Sequence, residues 1–249
     1  MAKAIHRLLD VLELFVDHAE GLSLPEITRL GKMSTATVWR YVSTLVERGY
    51  LAERANSGVY QLGLKPIDFS YAARRNLRFI ELAYVPMARL SRETKYDVYM
   101  TVLDAFTSLV VEEIGATAAL RINSPVGRRM GLHSTACGKV HLAFMPEDER
   151  RAFYDSGKLE RYTKNTITNP DKLEAELELV RRDGVAYDRE EQRLGVWVVA
   201  APVYTGNAKI AAAGLITPIS RMKADTAEKN ILKIISCTGE ISQILSRGA

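Results

Sequence analysis

Cysteine is scarce in this chain: Cys137 and Cys237 stand a hundred positions apart in 249 residues. That is no disulfide framework, and no CxxC pair offers zinc spacing, so reduced thiols are expected. Long apolar runs are missing as well. No window reaches the roughly 18 uninterrupted apolar residues that a membrane span requires. The opening "MAKAIHRLLDVLELF" carries acidic residues inside its apolar pattern and lacks a small-residue cleavage site. A cytoplasmic protein without membrane contact is the expectation. P-loop, GxSxG and GxGxxG signatures are also absent, which removes the familiar nucleotide-binding and serine-hydrolase classes.

What is present is the composition of a folded protein, 47% hydrophobic and 26% charged. The length favours two domains over one core. The net charge of +4 is uneven: residues 1–78 hold 11 Lys/Arg against 8 Asp/Glu, whereas residues 79–249 are nearly balanced at 23 against 22. The positive excess leans towards a polyanionic partner at the N-terminal end.

Ala4, Ile5, Leu8, Leu9, Leu12 and Phe15 recur at three- and four-residue intervals, the stripe of an amphipathic helix that Gly21 ends. Ser23 stands where an N-cap should, with Pro25 and Glu26 in the first turn of a short second helix. After the turn "GKM", Ser34 or Thr35 can cap a third helix whose core face is Val38, Val42, Leu45 and Val46. Thr37, Arg40, Thr44 and Glu47 are left pointing away from that seam.

Two helices joined by a short glycine-containing turn read as a helix-turn-helix, whose second helix enters the DNA major groove. Short hydroxyls reach phosphates or base edges without bulk, an arginine fork can pair with guanine, and free amides at the helix start favour anions. The expected DNA-binding set is therefore Ser34, Thr35, Thr37, Arg40 and Tyr41. "GYLAERANSGVYQLG" adds strands at 50–54 and 59–62 around a turn where Asn56 and Gly58 tolerate positive φ. This hairpin is the wing of a winged helix, with Arg54 near its tip.

From Leu64 to Thr94 the text is helical, with Pro66 suited to a first turn and Pro86 able to break or kink the helix at its position. Arg74, Arg75 and Arg78 read as a solvated face or a contact with DNA. Beyond residue 95, "YDVYMTVLD", "SLVVEEIG", "AALRINS", "VWVVAAPVY" and "KIAAAGLITPI" read as strands. "DKLEAELELVRRDG" and "AEKNILKIISCTGEISQIL" read as helices, and the order fits an α+β domain around a mainly antiparallel sheet.

Two stretches there carry chemistry. In "GLHSTACGKVHLAFM", Ser134 or Thr135 caps a helix whose small first-turn residues Ala136, Cys137 and Gly138 leave amides open to a carboxylate. In "AYDREEQRLGVWVVAAPVY", Asp188, Glu190 and Glu191 precede an apolar strand, either as a pocket rim or as a solvated loop. His133, Cys137 and His141 are spaced four apart, but the cap between the first two works against convergence on a metal or a thiol–base pair. No catalytic residue, metal or cofactor is expected.

Five stretches taken in order, "AIHRLLDVLELF", "TATVWRYVSTLVERGYL", "YQLG", "HSTACGKVHLAF" and "GVAYDREEQRLGVWVVAAPVY" with "AGLITPISRM", give a chain that resembles the IclR family of bacterial transcriptional regulators over essentially its whole length. The resemblance implies a winged helix-turn-helix over residues 1–63, a linker helix over 64–78, and a GAF-like effector-binding and oligomerisation domain over 79–249. It further implies a dimer, or dimer of dimers, on double-stranded DNA with a palindromic or near-palindromic operator, and a small organic acid as effector. Carried onto this chain, the amides of Ala136 and Cys137 would hold the acidic group, Asp188 would add a polar contact, and Val198, Gly214 and Ile216 would line the wall. Family members that bind very small oxo-acids have cysteine or serine at such wall positions. With Trp197 and Met130 nearby, an aromatic or largely apolar carboxylate is expected. Strand alternation leaves open whether Trp197 faces the pocket or the opposite side.

Overall fold

The structure, a computed structural model, describes residues 2–55, 57–116, 122, 124–206, 208–222 and 224–247. Asn56 and most of the expected strand "AALRINS" lie outside those residues. The chain divides into two compact units, Met1–Leu77 and Arg78–Ala249.

In the first unit α1 (Ala2–Glu13) runs into a 3-10 turn at Leu14–Val16, and a two-residue strand β1 (Leu22–Ser23) precedes α2 (Leu24–Gly31). The Glu26 carboxylate accepts hydrogen bonds from the Ser23 amide at 2.8 Å and the Ser23 hydroxyl at 2.6 Å, closing the capping box that fixes where α2 starts. Lys32 turns the chain in the left-handed conformation at φ 49°, and α3 (Thr35–Glu47) comes next. The hairpin of β2 (Leu51–Glu53) and β3 (Val59–Leu62) pairs antiparallel, and β1 joins β3 on its other side.

The core of this unit is Val11, Phe15, Leu22, Ile27, Val38, Tyr41, Val42, Leu45 and Leu51. Two sequence expectations are corrected here. Tyr41 takes the core position expected of Val46, because 38, 41, 42 and 45 form the tighter helical stripe; Tyr41 is 7% exposed and Val46 36%. On α1 the apolar pattern is wider than the core: Ile5 and Leu9 are 56% and 45% exposed, while Val11, which the periodicity skipped, is fully buried.

Helix α4 (Lys65–Arg75) closes this unit and buries none of its side chains. Pro86, a candidate helix breaker, lies buried inside α5 (Phe79–Thr94); the interruption falls instead between α4 and α5.

The second unit is built on a six-stranded antiparallel sheet ordered β6-β5-β4-β9-β8-β7. Its strands are β4 (Asp97–Asp104), β5 (Thr107–Ile114), β6 (Arg129–Met130), β7 (Ala186–Arg189), β8 (Val196–Thr205) and β9 (Ala208–Pro218). Helices α5 and α9 (Ala224–Arg247) cover one face. The other carries α6 (Ala136–Ala143) and α8 (Pro170–Asp183), with α7 (Glu147–Asp155) between them in sequence. Strands β6 and β7 and helix α7 are additions to the sequence reading, each too short to show a period of its own.

Helix α6 is the central element of that face, with every residue from Ala136 to Ala143 buried. Thr135 caps it, accepting from the Gly138 amide at 3.1 Å and donating to Gly131 O at 2.8 Å. A Cβ on Gly138 would lie 2.5 Å from Leu132 O and 2.6 Å from Gly131 O, so the preceding loop rests directly on the helix backbone. Gly138→Ala should cost at least about 1–3 kcal/mol in urea unfolding. Gly239→Ala in α9, where nothing lies within 4 Å of the added carbon, should be neutral or stabilising.

Candidate DNA-binding face and effector cleft

On α3 the Ser34 hydroxyl caps the helix, accepting from the Thr37 amide at 3.4 Å and lying 3.0 Å from the Thr37 hydroxyl. Ser34, Thr35 and Arg40 are exposed and Thr37 is half-buried. Thr37 therefore sits at the flank, engaged with the cap, while the stripe opposite the core is Ala36, Trp39, Arg40 and Ser43. Tyr41 is a core residue whose ring carries the Arg40 guanidinium 5.6 Å from its centroid. Arg54, exposed on the wing, donates to Gln61 Oε1 at 3.4 and 3.3 Å. Sequence reasoning missed Trp39, which is 60% exposed; an indole between valine and arginine in a helix reads as core until the burial is known.

In the second unit a cleft opens where the sheet meets the start of α6. Its apolar wall includes Tyr99, Met130, Val196, Val198 and Ile216, and its polar side includes Thr135, Asp188, Gln192, Arg128 and Arg193. It holds about 60 Å³, well below the roughly 300–1,000 Å³ of sites for drug-sized ligands. A ligand of this cleft is compact, and its entry displaces a flexible side chain such as Met130.

The expected effector residues separate here. Asp188, Val198 and Ile216 line the cleft. Ala136 and Cys137 are fully buried and lie outside the lining, which Thr135 reaches instead. Gly214 makes room rather than contact: a Cβ there would meet the Tyr99 ring at 2.8 Å and Cys137 Sγ at 3.0 Å. Trp197 takes the face opposite Val196 and Val198, as alternation requires, and packs 5.8 Å from the Tyr187 ring. His133 and His141 bind different partners, Glu160 O at 2.8 Å and the Thr101 hydroxyl at 2.9 Å. Cys137 points its thiol at Ala212 O, 3.8 Å away. Among the described residues no three of His, Cys, Asp and Glu are grouped to hold a metal.

The loop after β7 is tied down by charge. Lys139, fully buried on α6, donates to Glu191 Oε1 at 2.7 Å, to Tyr187 O at 2.9 Å and to Glu176 Oε1 at 3.4 Å. Asp188 Oδ1 accepts from the amides of Glu191 at 2.7 Å and Gln192 at 3.3 Å. Ser134 Oγ donates to Gln192 Oε1 at 2.6 Å, joining the loop to the residue before the α6 cap. Sequence reasoning missed Lys139 too; its one signal there is a lysine inside the apolar run "TACGKVHLAF".

Burial pushes the Asp188 carboxyl up to about 7, and the nearby Glu191 adds to the rise; the two amides and Lys139 oppose it. Burial and the adjacent Cys137 likewise push the Tyr99 hydroxyl up.

A winged helix-turn-helix and an α+β unit with a small-molecule cleft, in that order, define a ligand-responsive DNA-binding regulator. The IclR helix-turn-helix domain profile matches residues 4–55, and that of the bacterial transcriptional regulator IclR C-terminal matches residues 70–243. The chain belongs to the IclR family of transcriptional regulators and is not an enzyme. It is 30% identical to the HTH-type transcriptional regulator KdgR of Escherichia coli, over 96% of this chain and 91% of that one. The crystal structure of the Thermotoga maritima IclR matches with a TM-score of 0.79 at 26% identity, covering 99% of this chain and 100% of that one. An IclR homologue from Microbacterium hydrocarbonoxydans, crystallised with 4-hydroxybenzoate, has a TM-score of 0.86 at 23% identity, over 99% and 100% of the two chains; that likeness is one of fold. No helix among the described residues is long and apolar enough to cross a membrane.

The raised Asp188 carboxyl gives a signed prediction. The folded chain holds a proton that the unfolded chain releases near pH 4, so the stability that proton confers is lost as pH rises towards about 7 and stays lost above it. Asp188→Asn keeps the acceptor for both amides and carries no charge. Its melting temperature should exceed that of the wild type at pH 8, and the gap should shrink towards pH 5. An equal gap at both pH values would contradict a buried, proton-holding Asp188.

Proposed function

We propose that this regulator senses a compact carboxylic acid with an apolar body, of single-ring size at most, and that the acid changes its affinity for DNA. The observation that carries this reading is the cleft itself: an apolar wall of Val196, Val198, Ile216 and Met130 faces a rim bearing Arg128 and Arg193. An apolar body gains by burial at roughly 25 cal/mol per Å², and the arginines answer the carboxylate. Thr135, Asp188 and Gln192 supply the orienting hydrogen bonds. This set takes the acid in place of the amides of Ala136 and Cys137, whose residues lie outside the cleft lining.

DNA binding is assigned to Ser34, Thr35 and Arg40 on α3, with Thr37 holding the cap and Arg54 reaching from the wing. A palindromic operator requires two copies. The apolar residues that the N-terminal unit leaves in water supply a contact surface: Ile67, Phe69 and Tyr71 of α4 are 62%, 54% and 67% exposed. Beside them Leu12, Val16, Tyr50, Leu62, Pro66 and Phe69 surround an apolar hollow of about 300 Å³. Residues 64–78 act as the linker helix, and the protein works in the bacterial cytoplasm. Regulation is linkage: an acid that prefers one arrangement of the C-terminal domains shifts the spacing of the recognition helices, and DNA affinity changes by the same coupling free energy.

Thermal melting against a panel of aromatic and aliphatic carboxylates, then DNA binding with and without each hit, tests the reading. A stabilising small acid that changes DNA affinity is expected; salt-dependent DNA binding with no acid shifting the melt would overturn the sensor half. Arg40→Ala should weaken operator binding by about 1–3 kcal/mol and relax base preference; an unchanged operator affinity removes Arg40 from the readout. Ile67→Glu with Phe69→Glu should give a folded monomer by sedimentation, whereas a dimer that persists contradicts the α4 contact.

A further inference from the structure

Helix α3 carries two stripes of the same period. Val38, Tyr41, Val42 and Leu45 fill the core, and Ala36, Trp39, Arg40 and Ser43 repeat that spacing on the opposite side. The second stripe needs no large apolar group for folding, yet it holds Trp39 at 60% exposure with Ala36 exposed one turn before it. Arg40 leans the other way, its guanidinium 5.6 Å from the centre of the Tyr41 ring. The broad face of the indole is thus left open in the first half of the helix that reads DNA.

A base-reading helix gains from an apolar side chain only where the groove offers an apolar feature. In the major groove that feature is the C5-methyl group of thymine; every other base-edge position is a donor or an acceptor. Indole has one N–H donor and no acceptor, so it cannot reproduce the bidentate pairings by which bases are read. The surplus of positive over negative side chains in residues 1–78 draws this unit to a polyanion, which favours DNA over a second protein as the occupant of the stripe.

We propose that Trp39, with the Ala36 methyl beside it, reads a thymine methyl group in each operator half-site, and that Arg40 addresses a neighbouring base. This inference rests on the assignment of α3 as the DNA-reading helix. It adds a specificity determinant that hydroxyl and arginine chemistry do not supply.

Replacing single thymines by uracil removes only the methyl group. The full-length protein would first enrich duplexes from a randomised pool, and each thymine of the winning sequence would then be replaced in turn. At one thymine per half-site the wild type should lose about fourfold in affinity, the scale of one buried methyl. Trp39→Ala should bind thymine and uracil duplexes equally. Because the side chain is exposed, the variant should melt with the wild type, which separates lost readout from lost folding. A Trp39→Ala protein that keeps the full uracil penalty, or a wild type indifferent to every thymine methyl, would overturn the proposal. Failure to enrich any sequence would overturn the DNA-reading assignment of α3, and this inference with it.

Discussion

The buried ammonium group of Lys139 is the constraint on which the ligand-binding unit depends. An ion taken out of water costs several kcal/mol unless partners compensate, and removing one partner of such a pair costs about 3–5 kcal/mol. Lys139 finds its partners in Glu191, Tyr187 and Glu176, so α6 cannot keep its place unless β7, α8 and the loop after β7 are all in theirs. That loop brings Asp188 and Gln192 to the cleft. The polar side of the cleft is therefore held by an interaction that lies outside it, and rearrangement of the loop has to move Lys139 or break its pairs. A cluster of this kind resists gradual distortion and favours a small number of discrete arrangements, which is what an effector needs in order to select one.

The N-terminal unit shows the opposite balance. Its core is nine residues, and its helices place much of their apolar character on the outside, at Ile5 and Leu9 of α1 and along α4. A unit of this size has little apolar surface to spare for exposure to water. That exposure makes sense when the working form is an assembly. Helix α3 divides the same way, with a core stripe that fixes its axis and an outer stripe free to vary with the DNA it meets.

Much of this was legible from residue order because local chemistry left marks. Ser23 with Glu26, Ser34 ahead of α3, Thr135 ahead of α6 and Gly184 after α8 place helix ends by satisfying or relieving particular backbone groups. What stayed illegible depended on contacts distant in sequence. Tyr41 and Trp39 are both aromatic and two positions apart, and only the packing of α1 and α2 against α3 decides which is core. Gly214 looks like a pocket wall until Tyr99 and Cys137 are seen to occupy its missing side chain. The roles of Ala136 and Cys137, carried over from resemblance, shifted to Thr135 because burial of the first helical turn turns those two residues into scaffold. Trp197 was decided by strand alternation once Val198 was fixed to the cleft side.

The central claim is that cleft and recognition helix are energetically coupled, and coupling in equilibrium binding is reciprocal. The most direct test takes one acid that binds the cleft and measures two ratios: the change in DNA affinity caused by saturating acid, and the change in acid affinity caused by saturating operator DNA. The account predicts that the two ratios are equal and differ from one. An acid that binds the cleft with the same affinity whether or not the operator is bound would contradict it.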